Sequence, residues 1–205
     1  DVDHVDVTYE GTPFEPFNLV RAASQLQVGE WNTGRSYVRS INRPSNSEIS
    51  AIFEADQADR AAVKIDWTVV GPEDDRRRSR TQKLLDSGAL QSGEDFYYAA
   101  FIFQHGNAPS DYLKAHLLAL IAIARGNPRA IWIASATLDR YRQSSGMPQV
   151  LGTQYLDSDS SRATQEPYDR TLISDTMRKA LHVPSLAEQE AERLVVAEHA
   201  VALIG

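Results

Sequence analysis

Residues 96–103 read Phe96-Tyr97-Tyr98-Ala99-Ala100-Phe101-Ile102-Phe103, and this stretch decides the fold. Ser92 and Asp95 precede it at capping spacing, and Gln104-His105-Gly106 follows, with Gly106 as the expected stop. A helix apolar around its whole circumference belongs at the centre of a helical protein, not on its rim. Moving outward, Ser110 is expected to cap a second helix, apolar nearly all round from Tyr112 to Ile123 and ending at Arg125-Gly126. Asn127-Pro128 then supplies an N-cap and a first-turn proline for a third helix. That helix carries Ile131, Trp132, Ser135, Leu138 and Asp139 on one stripe and ends at Gly146 and Pro148. Short links make the three antiparallel neighbours. The fold class read from this is all-α, an antiparallel helical bundle with a long polar loop at one pole.

Upstream, Ser45 and Glu48 have the spacing of a capping box, and Ile49, Ile52 and Phe53 continue at helical period through Arg60. Asp56 and Arg60, four apart, share a face. A further helix is expected to begin after Pro72, carry Arg76-Arg77-Arg78-Ser79-Arg80 as a solvated face, and stop at Gly88. The first nine residues alternate as a short strand or extended arm would. Asn18 has the chemistry to cap a short helix with Leu19, Val20, Ala22 and Leu26, and residues 28–46 are irregular, with Trp31 and Tyr37 as anchors. Downstream, residues 147–169 read as a long ordered loop or short hairpin, Ser174 caps a short helix to Leu181, and Ser185 and Glu188 cap a last amphipathic helix. The domain reading is an N-terminal arm and short helix over 1–44 packed on a helical domain over 45–205, one folding unit overall.

Composition narrows the function classes. At 205 residues, 42% hydrophobic and 24% charged, the chain can bury a core of useful size. It has no cysteine, which excludes disulfides, thiol catalysis and thiolate metal sites. A net charge of −7 argues against nucleic acid as a partner, and no apolar run approaches the ~18 residues of a membrane span. The expectation is therefore a soluble protein of open compartment, cytoplasmic or, since the chain opens at Asp1 without Met, exported with its leader removed.

The polar residues gather. Equal rise along antiparallel helices brings His105, Asp111, His116, Asp139 and Arg140 toward one pole. The loop with Gln149 and Gly152-Thr153-Gln154 leaves from there too. Each residue also has a purely structural role open to it: a core histidine for His116, a helix C-terminal cation for His105, a buried ion pair for Asp139. His105 and His116 with Asp111 or Asp139 have the composition of a two-histidine, one-carboxylate metal site. No H-x-x-x-H or H-E-x-x-H spacing accompanies them, and the expectation is a metal-free site with no cofactor.

Taken in order, Asp56-Gln57-x-x-Arg60, Asp75-x-x-Arg78 before Leu84-Leu85, and Ala99-Ala100-x-x-x-Gln104-His105-Gly106 form a distinctive set. It continues with Asp111-Tyr112-x-x-Ala115-His116-x-Leu118-Ala119, Ala136-x-x-Asp139-Arg140 and Gly146-x-Pro148-Gln149-x-x-Gly152-Thr153-Gln154. The set resembles a bacterial helical family of unknown function marked by a Gln-His pair, an Asp-Arg pair and a closing Gly-Thr-Gln. The resemblance spans roughly residues 45 to 195. It departs from the pattern at Leu151, where an aromatic residue would stand. It implies a helical fold and a site at these motifs, and no particular chemistry.

The leading expectation is an enzyme performing His/Asp acid–base chemistry of hydrolase, lyase or isomerase type on a small polar molecule with an anionic or carbonyl oxygen. His105 would transfer the proton, because histidine titrates near neutrality without large tuning, and Asp139 would orient it. Asp56, Gln57, Arg60, Gln104, Asp111, His116, Arg140, Gln149, Thr153 and Gln154 would bind substrate in a polar pocket beside the 147–169 loop. The alternative is a ligand-binding or protein-interaction module without turnover, in which the same cluster is structural.

Overall fold

Helix α3 (Gly93–Gln104) lies at the centre, as its sequence requires, in the computed structural model, which describes residues 4–7, 17–20, 43–155 and 164–202. The other helices are α1 (Ser47–Arg60), α2 (Trp67–Asp86), α4 (Pro109–Ala124), α5 (Ala130–Ser144), α6 (Asp175–Ala180) and α7 (Leu186–Ala202). The chain divides into two units, Asp1–Arg39 and Ser40–Gly205. The second unit is an all-α bundle. In the first, strands β1 (His4–Val7) and β2 (Phe17–Val20) pair antiparallel, His4 opposite Val20 and Val7 opposite Phe17. Asn18, Leu19 and Val20 are therefore in a strand and not in the capped helix expected of them. Ala22, Leu26, Trp31 and Tyr37 lie outside the described residues.

In α3, Ser92 Oγ accepts from Asp95 N at 3.0 Å and Asp95 accepts from Ser92 N at 2.9 Å, the reciprocal cap its sequence signalled. Asp95 also accepts from Asn46 N at 2.8 Å and Gln91 N at 2.8 Å, so one buried carboxylate ties the starts of α1 and α3 together. Ala99, Ala100, Ile102 and Phe103 are buried from α3, Ala115, Leu118, Ala119 and Ala122 from α4, and Ala130 and Ile133 from α5. A fully buried isoleucine such as Ile102 or Ile133 contributes roughly 1.5–3 kcal/mol. Alanines at i, i+4 and i+7 of α4 let the three backbones approach closely. From α1, Phe53 stacks on Tyr98 with ring centroids 4.3 Å apart and meets Phe101 edge-on.

Several boundaries differ from expectation, each for a local reason. Asn46, not Ser45, caps α1, accepting from Glu48 N and Ile49 N, while Ser45 Oγ meets Ser92 Oγ. Helix α2 begins at Trp67 because Asp66 caps its first turn, accepting from the Thr68 amide at 3.0 Å, and it runs on through Pro72 at the expense of one intrahelical hydrogen bond. Ala108, not Ser110, is the cap position of α4, and Asp111 holds that end from inside by accepting from Asn107 N and Ala108 N. Helix α4 buries one face only. Leu117, Leu120 and Ile121 are exposed, since α3 and α5 both pack on its alanine side. On α5, Ser135 and Asp139 are buried as expected but Trp132 is exposed, and Ile133 takes the inward position.

The last helices hold the segment after α5. Residues 147–155 and 164–169 knit together through Gln149 N to Pro167 O and Asp169 N to Gln149 O, both 2.9 Å. The expected long loop is thus an ordered crossing where it is described; 156–163 lie outside the described residues. Arg178 of α6 is fully buried and donates to Ile173 O at 2.8 Å and to Tyr168 Oη. Gln189 of α7 donates to Leu151 O at 2.8 Å. Among the described residues, no helix is long and apolar enough to cross a membrane.

Candidate active-site cleft

His105 follows the last residue of α3, where Gly106 lets the chain turn sharply into α4 and Asp111 fills the space beside it. The turn directs the imidazole back toward α1. There His105 Nδ1 meets Asp56 Oδ1 at 2.9 Å. Asp56 is completely buried and takes two further donors, Arg60 Nη1 at 2.9 Å and Gln57 Nε2 at 2.8 Å. Burial disfavours its charge, but the His105 hydrogen bond and charge, the Arg60 charge and the Gln57 amide outweigh that and hold the carboxyl below its ordinary range. An ionised carboxylate can only accept, so Nδ1 carries the proton. With Nδ1 as the donor to Asp56, the ring turns Nε2 to the other side, where Gln104 Nε2 lies at 3.3 Å.

Behind this pair runs a ladder of charges. Arg60 Nη2 reaches Asp74 at 2.6 Å, Arg77 reaches Asp74 at 3.1 Å, and Arg77 also pairs with Asp59. Arg78 donates to His105 O at 2.6 Å and clamps the end of α3. Arg77 and Arg78 of the basic run are thus largely buried and structural, while Arg76 is solvated and Arg80 pairs with Glu48 at the surface.

In front of His105 opens a cleft of about 260 Å³ lined by Arg60, Trp67, Gly71, Asp74, Gln104, His105, Gly106, Asn107, Tyr112 and Arg140. Arg140 is the unusual wall residue. Its Nε donates to Gln154 Oε1 at 3.0 Å and its Nη1 to Gln104 O at 3.0 Å, and its guanidinium sits 5.8 Å from the Tyr112 ring centre. Among the described residues it has no carboxylate partner and no acceptor for Nη2. Burial presses its pKa down, as expected of a cation without a counter-ion.

The structure separates the expected site residues into three groups. Arg60, Gln104, His105 and Arg140 line the cleft; Asp56 and Gln154 touch those liners from behind, and Gln57 holds Asp56. The remainder are elsewhere. Asp139 does not orient His105: its buried carboxylate accepts from Val150 N at 2.8 Å, Leu151 N at 3.1 Å, and Thr153 N and Oγ1 at 3.0 Å. It is the hub of the post-α5 crossing, and Thr153 serves it there. Gln149 is fully buried and exchanges hydrogen bonds with the Gln154 backbone. His116 Nδ1 meets Ala134 O at 2.8 Å across the α4–α5 seam, and Asp111 caps α4. The 147–155 segment supplies no wall of the cleft; it reaches the site only through Gln154 and Arg140.

Sequence reading missed Trp67, Gly71, Asp74 and Asn107. With α2 started at its Asp66 cap, Trp67, Gly71, Asp74 and Arg78 fall at i, i+4, i+7 and i+11, one stripe of one helix. Among the described residues, no three histidine or acidic side chains are arranged to hold a metal ion. Comparison with protein-family models, curated proteins and solved structures returned no match.

Proposed function

We propose that the protein is an acid–base enzyme acting on a small polar substrate that carries an anionic or carbonyl oxygen, with His105 as the proton-transfer group. The observation that carries this reading is the Asp56–His105 pair opening on a cleft that also holds Arg140 without a counter-ion. Nε2 of neutral His105 accepts a proton from water or from the substrate. Ionised Asp56 then stabilises the imidazolium across the Nδ1–H bond. Arg140, aimed by Gln154 and Gln104 O, binds the oxygen on which negative charge develops. In the hydrolytic form, water loses its proton to Nε2 as its oxygen bonds the carbonyl carbon, and the same proton then passes to the leaving group. In the lyase or isomerase form, the proton comes from carbon. Both forms begin with the same transfer.

A non-catalytic reading has one observation in its favour: Arg60 is engaged by Asp56 and Asp74, so much of the cluster also locks α1 to α2. His105→Gln separates the two, since the ladder does not pass through His105. A panel of small carboxylate-bearing esters, amides and hydroxy acids, assayed with wild type and His105→Gln, is the test. Turnover reduced about 10²–10⁴-fold in a variant with unchanged melting is the expected result. Turnover that survives His105→Gln, or a panel with no turnover and a variant that loses several degrees of Tm, overturns it.

A further inference from the structure

The cleft has a second, apolar end of unusual form. Trp67 lines it with 63% of its surface exposed, at the first residue of α2. One turn on, at the same face, stands Gly71. A Cβ built there meets nothing within 4 Å, so the position opens directly onto free space. Glycine inside a helix is less favourable than alanine, and this backbone needs no positive φ. Neither packing nor backbone geometry accounts for a bare position there. What it leaves is a notch between the Trp67 indole and the Asp74–Arg60 pair. Tyr112 stands at the other end, its ring centre 5.8 Å from the Arg140 guanidinium and its hydroxyl donating to Gly106 O at 2.8 Å. The polar end is Arg140, with Nη2 lacking an acceptor among the described residues.

We propose that the cleft selects a small monocarboxylate bearing a flat apolar ring, with Arg140 taking the carboxylate, Trp67 taking the ring, and Gly71 setting the size the site admits. This deepens the acid–base reading and rests on it for the site, but its test reads binding without turnover. A carboxylate oxygen can accept a charge-assisted hydrogen bond from the free Nη2, and a ring on an indole face buries apolar area on both partners. The cleft also holds two carboxylates, Asp74 on the wall and Asp56 behind it. Asp74 is paired with Arg60 and Arg77, and Asp56 with Arg60 and the His105 Nδ1–H, which leaves Arg140 as the wall cation without a carboxylate partner among the described residues.

The probes are benzoate, acetate and benzamide, titrated by calorimetry or ligand-observed NMR. Benzoate should bind wild type at least tenfold more tightly than acetate, which lacks the ring, and than benzamide, which lacks the charge. Arg140→Gln should erase the difference between benzoate and benzamide. Gly71→Leu should erase the difference between benzoate and acetate without lowering Tm. Trp67→Ala, at an exposed position, reads the same ratio should the leucine variant fold poorly. Benzoate binding no tighter than acetate in wild type, or a benzoate-to-acetate ratio untouched by Gly71→Leu and Trp67→Ala, overturns the ligand class. The acid–base reading is tested separately by the His105→Gln assay.

Discussion

His105 and Asp139 show how a residue's role follows from what faces it. His105 keeps its proton on Nδ1 because the carboxylate opposite can only accept. The amide in Asp56→Asn could instead donate to Nδ1, which would move the ring proton to Nε2 and remove the base. We expect kcat to fall about 10²–10⁴-fold, measured on whichever substrate the panel identifies. Asp56 also carries an acid-stability signature. Because its folded-state pKa is depressed, its stabilisation is complete above the ordinary carboxyl range near pH 4 and is lost as pH falls through the lower folded value. Melting curves from pH 7 to pH 3 should therefore fall less steeply for Asp56→Asn than for wild type. Asp139 differs in kind: its partners are the backbone amides of Val150, Leu151 and Thr153. Asp139→Ala leaves those donors buried and unpaired, and a loss of about 3–5 kcal/mol in urea denaturation is expected. A loss under 1 kcal/mol would remove it as the hub of the crossing.

At the scale of elements, the site depends on two turns. The α3–α4 turn places His105, and Gly106 allows it because any Cβ there would overlap the Asp111 side chain that caps α4. The crossing after α5 has the same logic at Gly152, with φ +77° and a Cβ position 2.7 Å from Tyr168 Oη and against Gln189 Oε1. Gly152→Ala combines backbone strain with overlap in a packed interior, and we expect about 2–4 kcal/mol of destabilisation. Because Gln154 aims Arg140, anion binding should weaken in the same variant although no cleft residue has changed. Unaltered benzoate affinity in Gly152→Ala would break the proposed link between crossing and cleft. Helix α2 carries the remaining wall, and its start at Asp66 rather than after Pro72 is what brings Trp67 and Gly71 to the site.

For the whole molecule, the apolar core over Ile49, Leu84, Phe96, Ile102, Ala119 and Ile133 lies entirely within the unit Ser40–Gly205, as does every residue of the cleft. A fragment of residues 40–205 should keep a helical circular-dichroism spectrum and a single cooperative melt. Loss of cooperativity in that fragment would show that residues 1–39 are needed for folding.

The all-α bundle was legible in the chain because its signals are local. An apolar run at 96–103, Ser92 with Asp95, Asn127-Pro128 and the stops at Gly88, Gly126 and Gly146 each act within one helical turn. His105, Gln104, Arg140 and Arg60 could be picked out as well, as polar side chains at the ends of apolar segments. The pairing of those residues could not. Asp56 and Asp139 look alike in sequence, each a carboxylate on an inward face with an arginine nearby. Which one meets His105 depends on how α1 crosses α3, set by Phe53 packing on Tyr98 and Phe101 and by Asp95 bridging the two helix starts. The small notch at Gly71 and the exposed face of Trp67 likewise exist only once α2 is laid against α3. Sequence determined the elements and the polar residues at their ends; packing across tens of residues decided which of them meet, because a hydrogen bond requires positions that local periodicity does not encode.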